Sequence, residues 1–313
     1  MKKTFISIVL GTILLVGLGS CNYKKTDNGT NWQANGDSIT ASFNYTPAEP
    51  VNGKKKAIVE LGATGFNMFI VEVDKDKNWK ALKKEFGRSL ISENMTNAET
   101  IKKKLQDYIK EMVDSGVDGR NIHFVVSSGA TKKPVIGSIT SALKKIGYFV
   151  NVVTPEQEAA CAWKSAMVKG YEDKAFVVDL GSGNTKVAYY SEGKMKTTET
   201  YGAKYFQDKV SDQTAYDDAK AKVSDIPSAN CSTLFLIGGV PFDMANAQKK
   251  GDERYTVLST KMSDYAQVAE KKGDKMKAGL NICKAIFKQT GAKQVVFDWD
   301  ANFAIGFLLN LDY

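Results

Sequence analysis

Two stretches of this chain repeat one pattern. Residues 57–73 (AIVELGATGFNMFIVEV) and 175–190 (AFVVDLGSGNTKVAYY) each run from an apolar, β-branched segment through an acid into a glycine-rich turn, then out into a second apolar segment. Such segments, bounded by glycines, read as β-hairpins. The acids are Glu60 and Asp179, and the turns are Gly62-Ala63-Thr64-Gly65 and Gly181-Ser182-Gly183-Asn184-Thr185. Small residues at a tip let backbone N–H groups close on an anion, and a carboxylate just before them can hold a metal ion or orient a water. One such turn is usually only a turn. Two of them about 120 residues apart, each with its acid, predict two similar α/β lobes facing a cleft.

The N-terminus reads as an address. Met1-Lys2-Lys3 is basic, and residues 5–18 form an apolar run of signal-peptide length ending in Leu18-Gly19-Ser20-Cys21. That ending resembles the bacterial lipobox. The expectation is a signal peptide over 1–20 and a lipid on Cys21, which holds the mature chain to a membrane in the cell envelope, outside the cytoplasm. Residues 21–53 are polar and aperiodic, with Pro47 and Pro50 near their end, and read as a flexible tether. A short strand over 39–45 and docking of Trp32 are weaker alternatives. The body then divides into lobes at 54–172 and 173–313.

Composition narrows the chemistry. The formal charge is +8 over 313 residues, but Lys2 and Lys3 belong to the leader, and the other lysines are scattered among acids. This speaks against a nucleic-acid partner and leaves room for small polyanions. Besides Cys21 there are Cys161, Cys231 and Cys283, no CxxC and one histidine, an inadequate set for zinc or an iron–sulfur cluster. Each of the three lies among apolar or small residues and reads as a buried free thiol.

Between and beyond the hairpins, 78–86 reads as a short helix or turn. Residues 96–115 form an amphipathic helix with Ile101, Leu105, Tyr108, Ile109 and Met112 on one face. Residues 121–127 are a strand in which His123 is structural. A helix over 135–146 and a strand over 149–153 lead to Pro155, which opens another helix. Glu156 and Glu158 in its first turn are either partners of the helix dipole or a carboxylate at the cleft that takes a proton from attacking water. Residues 201–210 are expected across the end of the second hairpin. The strand 233–237 hands over to Gly238-Gly239 and then to a helix, a third geometry suited to a phosphate or the sugar side of a nucleotide. Neither a P-loop nor a GxGxxG follows any strand. Asp298 and Asp300, at the end of the last strand, are expected to face the cleft or, by preference, solvent.

Taken in order, these motifs resemble the exopolyphosphatase and guanosine pentaphosphate phosphatase (Ppx/GppA) family. Its opening Ala-Ile-Asp-Leu-Gly-Ser-Asn-Ser falls on Ala57 to Thr64, and its Gly-Glu-Glu-Glu-Ala on Pro155-Glu156-Gln157-Glu158-Ala159. Its Asp-Ile-Gly-Gly-Gly-Ser-Thr-Glu falls on Asp179 to Lys186, and its Gly-Gly-Thr on Gly238-Gly239-Val240. Its closing Gly-Leu-Arg-Glu-Gly falls on Asn302 to Gly306. The resemblance implies two ribonuclease H-like lobes of the actin-like ATPase fold around a central cleft. It also implies Mg²⁺ on Glu60 and Asp179, phosphate on the three glycine turns, and Glu156, Glu158 and Asp179 as catalytic residues. The chain departs from the pattern in four places. Glu60 replaces an aspartate, Lys186 an acid, Ser127-Ser128-Gly129-Ala130-Thr131-Lys132 a run ending in arginine, and Ala304-Ile305 an Arg-Glu pair.

Four functions compete. They are hydrolysis of a phosphoanhydride such as polyphosphate or a nucleoside polyphosphate, capture of a phosphate-bearing ligand without turnover, ATP-driven work, and a structural role in the envelope. The first two make use of the glycine turns, ATP is scarce outside the cytoplasm, and a homodimer is left open.

Overall fold

The first repeated stretch folds as an antiparallel hairpin of β1 (Lys54–Leu61) and β2 (Phe66–Val73), in a computed structural model that describes residues 42–62, 65–88 and 98–312. Strand β3 (Trp79–Arg88) pairs with β2. Helix α1 (Ala98–Asp114) buries Ile101, Leu105, Tyr108 and Met112 and leads to β4 (Ile122–Val126), parallel to β1. Helix α2 (Pro134–Lys145) returns to β5 (Val150–Val152), giving the order β3-β2-β1-β4-β5.

Helix α3 (Pro155–Ala166) begins at Thr154, whose hydroxyl accepts from the Gln157 N–H while the Gln157 side chain accepts from the Thr154 N–H. This reciprocal cap satisfies two donors that the first turn would leave unpaired. The second hairpin follows as β6 (Ala175–Leu180) and β7 (Asn184–Ser191), then β8 (Lys194–Tyr201). The chain continues through α4 (Asp212–Lys222), β9 (Thr233–Gly238), α5 (Gly239–Gln248), β10 (Tyr255–Val257), α6 (Ala266–Lys272) and α7 (Asp274–Thr290). It closes with β11 (Gln294–Asp298) and α8 (Phe303–Asn310). The second sheet runs β8-β7-β6-β9-β11, with β10 antiparallel on its outer edge. Each sheet is therefore a three-strand meander extended by two parallel crossover strands, and the two lobes are copies of one plan.

The lobes exchange helices. Helix α3, which precedes the second hairpin, packs on β6, β7 and β8, while α8 packs on β1 and β2, and the two helices pack on each other. One apolar cluster accordingly joins Ile58, Phe69 and Val125 of the first sheet to Val177, Phe235 and Val296 of the second, through Ala162, Ile305 and Leu308. Contact between the helices is so close that a Cβ on Gly306 would lie 1.8 Å from the Cys161 carbonyl oxygen.

Three expectations change. Residues 79–86 lie in β3, with Asn78 just ahead of it, rather than in a helix or turn. Val73 faces Trp79 and Val71 faces Ala81 across the ladder, and Lys80, Lys83 and Lys84 make a charged edge that resists further pairing. Asp298 is buried rather than solvent-facing and accepts from Arg254 Nε at 3.2 Å, while Asp300 accepts from Lys84 Nζ at 2.5 Å. Within the stretch read as tether, Phe43 is buried and the backbone is held at Val51, although most residues between them are exposed. The Phe43 ring is buried edge-on against Tyr171, Phe235 and Tyr255, and Val51 N–H donates to Asp74. Cys161, Cys231 and Cys283 are buried free thiols, as expected. Cys21 and Trp32 lie outside the described residues, among which no helix is long and apolar enough to cross a membrane.

Candidate functional site

The strand ends that carry the repeated motif, β1, β6 and β9, open on one cleft between the lobes. Its cavity has a volume of about 240 Å³. Each hairpin closes in the same way, with Gly62 N–H donating to the Gly65 carbonyl at 2.9 Å and Gly181 N–H to the Asn184 carbonyl at 3.1 Å. Residues 202–204 cross the second turn as expected: Ala203 N–H donates to Gly181 O and Lys204 N–H to Ser182 O. Gly238 enters α5 at φ 111°, its Cα pressed on β6, where any Cβ would lie 2.3 Å from the Leu180 carbonyl oxygen. Only glycine permits this handover.

The acids occupy matching places. Glu60 stands opposite Asn67 in the first hairpin, and Asp179 opposite Lys186 in the second. Asn67 and Asn302 both donate to Glu60 Oε2, at 2.8 and 3.2 Å. Burial pushes the Glu60 carboxyl up to about 7 against these hydrogen bonds, and the nearby charges of Asp179 and Glu158 add to the rise. Asp179 is raised as well, by burial first; Lys186 opposes the rise and Glu158 reinforces it.

Glu158 projects from the first turn of α3 onto the same floor. Its Oε2 accepts from the Ser128 N–H at 2.7 Å and the Ser128 hydroxyl at 2.6 Å, and its Oε1 meets Lys186 Nζ at 2.5 Å. Lys186 Nζ also lies 3.8 Å from Asp179 Oδ2. Burial works against its charge, but Asp179 and Glu158 outweigh that and hold the amine protonated above its usual range. Asn184 bridges the lobes by donating to the Ser128 hydroxyl at 3.0 Å.

Of the residues singled out from the sequence, Glu60, Gly62, Gly65, Glu158, Asp179, Gly181, Ser182, Gly183, Asn184, Gly238 and Gly239 all line the cavity. Ala63 and Thr64 lie outside the described residues. Thr185 is fully buried, its hydroxyl donating to the Tyr201 carbonyl, and faces away from the cavity lining. Glu156 is exposed beside its own helix cap, with Thr154 holding its carboxyl below the usual range. Lys132 is exposed and does not line the cavity, and neither does His123.

The donor set does not suit Mg²⁺ on Glu60 and Asp179. That ion needs near-octahedral oxygen ligands at close range. Here an ammonium already lies between Asp179 and Glu158, and one oxygen of Glu60 is committed to two amides. Among the described residues, no group of three or more His, Cys, Asp or Glu is placed to hold a metal.

Lining residues that were not read from the sequence as site residues include Asn67, Ser127, Asn302 and Lys275, and Ser128 reaches the floor through Glu158. Lys275 sits at the start of α7, its Nζ 3.5 Å from where a Cβ on Gly239 would be, and burial lowers its basicity. The position of Asn67 opposite Glu60 was available as the hairpin mate of Lys186. Lys275 comes from a distant segment with no motif around it, whereas Asn302 opens the segment matched to the closing Gly-Leu-Arg-Glu-Gly motif, where the departures at Ala304-Ile305 drew the attention instead.

No family model and no curated protein matches this sequence. Solved structures do. A Ppx/GppA family member from Aquifex aeolicus superposes with a TM-score of 0.61 at 17% identity, over 82% of this chain and 97% of that one. This chain has the Ppx/GppA fold. An exopolyphosphatase from Cytophaga hutchinsonii superposes with a TM-score of 0.60 at 13% identity, covering 82% and 96%. An exopolyphosphatase-like protein gives 0.59 at 16%, covering 83% and 98%. The likeness in fold thus extends over most of the chain.

Proposed function

We propose that the cleft binds and hydrolyses a phosphoanhydride, either a polyphosphate or the phosphate chain of a nucleoside polyphosphate. The observation that supports this reading is the convergence of Glu60, Glu158 and Asp179 on one cavity floor between the glycine turns of both lobes. Beyond the Gly62 and Gly181 N–H groups, which close the hairpins, the other N–H groups of the two turns and those at the start of α5 would take the phosphate oxygens. Asp179, with its basicity raised by burial, would accept the proton of a water attacking the terminal phosphorus. The bond to the bridging oxygen breaks, and that oxygen leaves as part of the shorter phosphate. Glu158 is occupied by Ser128 and Lys186, so its part is to hold Lys186 in place.

The same occupancy favours a second reading, capture of a phosphate ligand without turnover, since Glu158 is held by Ser128 and Lys186 in place of a water. Phosphate release from tripolyphosphate and from a nucleoside tetraphosphate, beside calorimetry on the same ligands, separates the two. Asp179→Asn is expected to slow release by about 10²-fold or more while binding persists. Binding by the wild type without release would move the assignment to capture, and neither binding nor release would end both readings. We also propose, from Leu18-Gly19-Ser20-Cys21 alone, that the protein works on the outer side of a membrane as a lipoprotein. Metabolic labelling with a fatty acid, lost in Cys21→Ser, tests that.

A further inference from the structure

We propose that Lys186 is the resident cation of the cleft, excluding divalent metal, so that the site takes its phosphate ligand free of metal. The ligand class rests on the reading above, whereas the exclusion of metal stands on geometry alone. Lys186 is 3% exposed and reaches the floor from β7, directly across the ladder from Asp179. Its Nζ contacts Glu158 Oε1 at 2.5 Å and lies 3.8 Å from Asp179 Oδ2. A divalent ion would have to share these oxygens with a positive charge a few ångströms away, in a site too dry to screen the repulsion.

The remaining oxygens are too few for a second place, since one oxygen each of Glu60 and Asp179 is all that is left beside the ammonium. Glu158 Oε2 receives both hydrogen bonds from Ser128, and Glu60 Oε2 receives Asn67 and Asn302. A single ammonium between two carboxylates leaves the floor no worse neutralised than a half-occupied metal site would, and it cannot dissociate. Across the cavity, Lys275 makes no hydrogen bond or ion pair among the described residues and stands at Gly239, where the far end of a phosphate chain would lie. Two fixed ammonium groups and three sets of backbone amides can compensate a free di- or triphosphate. A magnesium complex of the same ligand would bring its positive ion against Lys186.

Calorimetric titration of the full-length protein with Mg²⁺ alone tests this, and Lys186→Glu and Lys186→Met serve as comparisons once circular dichroism shows that they fold. The wild type is expected to give no saturable Mg²⁺ binding, and Lys186→Glu to gain a site that Asp179→Asn removes. Saturable binding of Mg²⁺ by the wild type, lost in Asp179→Asn, would overturn the proposal. So would a folded Lys186→Glu protein that binds none, because lysine would then not be what excludes the ion. Pyrophosphate is the second probe. Its affinity for the wild type is expected to persist in a chelator, to fall when Mg²⁺ is added in excess, and to drop at least about tenfold in Lys186→Met. Binding that requires Mg²⁺ would overturn the proposal. Failure of pyrophosphate to bind under any condition would count against the phosphate reading, leaving the Mg²⁺ titrations to decide the role of Lys186.

Discussion

Glu60 holds its proton to about 7 when folded, against an ordinary value of 4.5, because burial disfavours its charge. Between those values the folded protein carries a proton that the unfolded chain has given up, so stability falls as the pH rises from about 4.5 to about 7. At about 1.4 kcal/mol for each tenfold difference in proton affinity, the span is about 3 kcal/mol. Glu60→Gln keeps an oxygen for Asn67 and removes the titration. Its urea-unfolding free energy is expected to exceed the wild type's by about that amount at pH 8 and to match it near pH 4. At this scale the sequence told much. An acid before a glycine turn is visible in any reading, and both acids line the cavity. The state of those acids was not visible, because it depends on Asn302, some 240 residues away, and on how deeply two sheets bury the floor.

Gly306 is the position where α8 meets α3, and a methyl group there would lie 1.8 Å from a backbone oxygen. Backbone has nowhere to turn, so Gly306→Ala is expected to cost about 3 kcal/mol or more, read as a lower urea midpoint. Gly137 in α2 is a contrasting case, since nothing lies within 4 Å of its would-be Cβ. Gly137→Ala should stabilise by roughly 0.5–1 kcal/mol through the unfolded chain. Elements with their own periodicity, such as α1, α2 and β9, were legible in the sequence. Strand β3 was not, because its lysines have no apolar stripe and it is a strand only by virtue of β2 beside it. Helix α6 was missed for a related reason: it is seven residues long with no fully buried side chain.

Across the whole molecule, one polar chain ties the second sheet to the edge of the first. Arg254 pairs with Asp298 at 3.2 Å and with Asp300 at 3.6 Å, and Asp300 pairs with Lys84 on β3. Arg254→Met would strand a buried carboxylate and is expected to destabilise by about 3–5 kcal/mol. Lys84→Met leaves Asp300 its arginine, so stability should change by less than about 1 kcal/mol. Amide exchange along β3 is nevertheless expected to quicken as that contact between lobes is lost. The duplicated hairpins announced two lobes and a cleft. The exchange of α3 and α8 did not show in the sequence, because an apolar helix carries no mark of which sheet it will cover.

Phe43 gives the molecule a handle. Its ring contacts Tyr171, which precedes β6, whereas the cleft begins at Gly181 beyond the far end of that strand. The ring also contacts Phe235, level with Val177 in the middle of that sheet and three rows short of Gly238, about 10 Å from the turns. Phe43 itself is absent from the cavity lining. The start of the described chain is therefore pinned to the flank of the second lobe, so a label placed there would report on the hold of that aromatic contact while leaving the lining residues untouched.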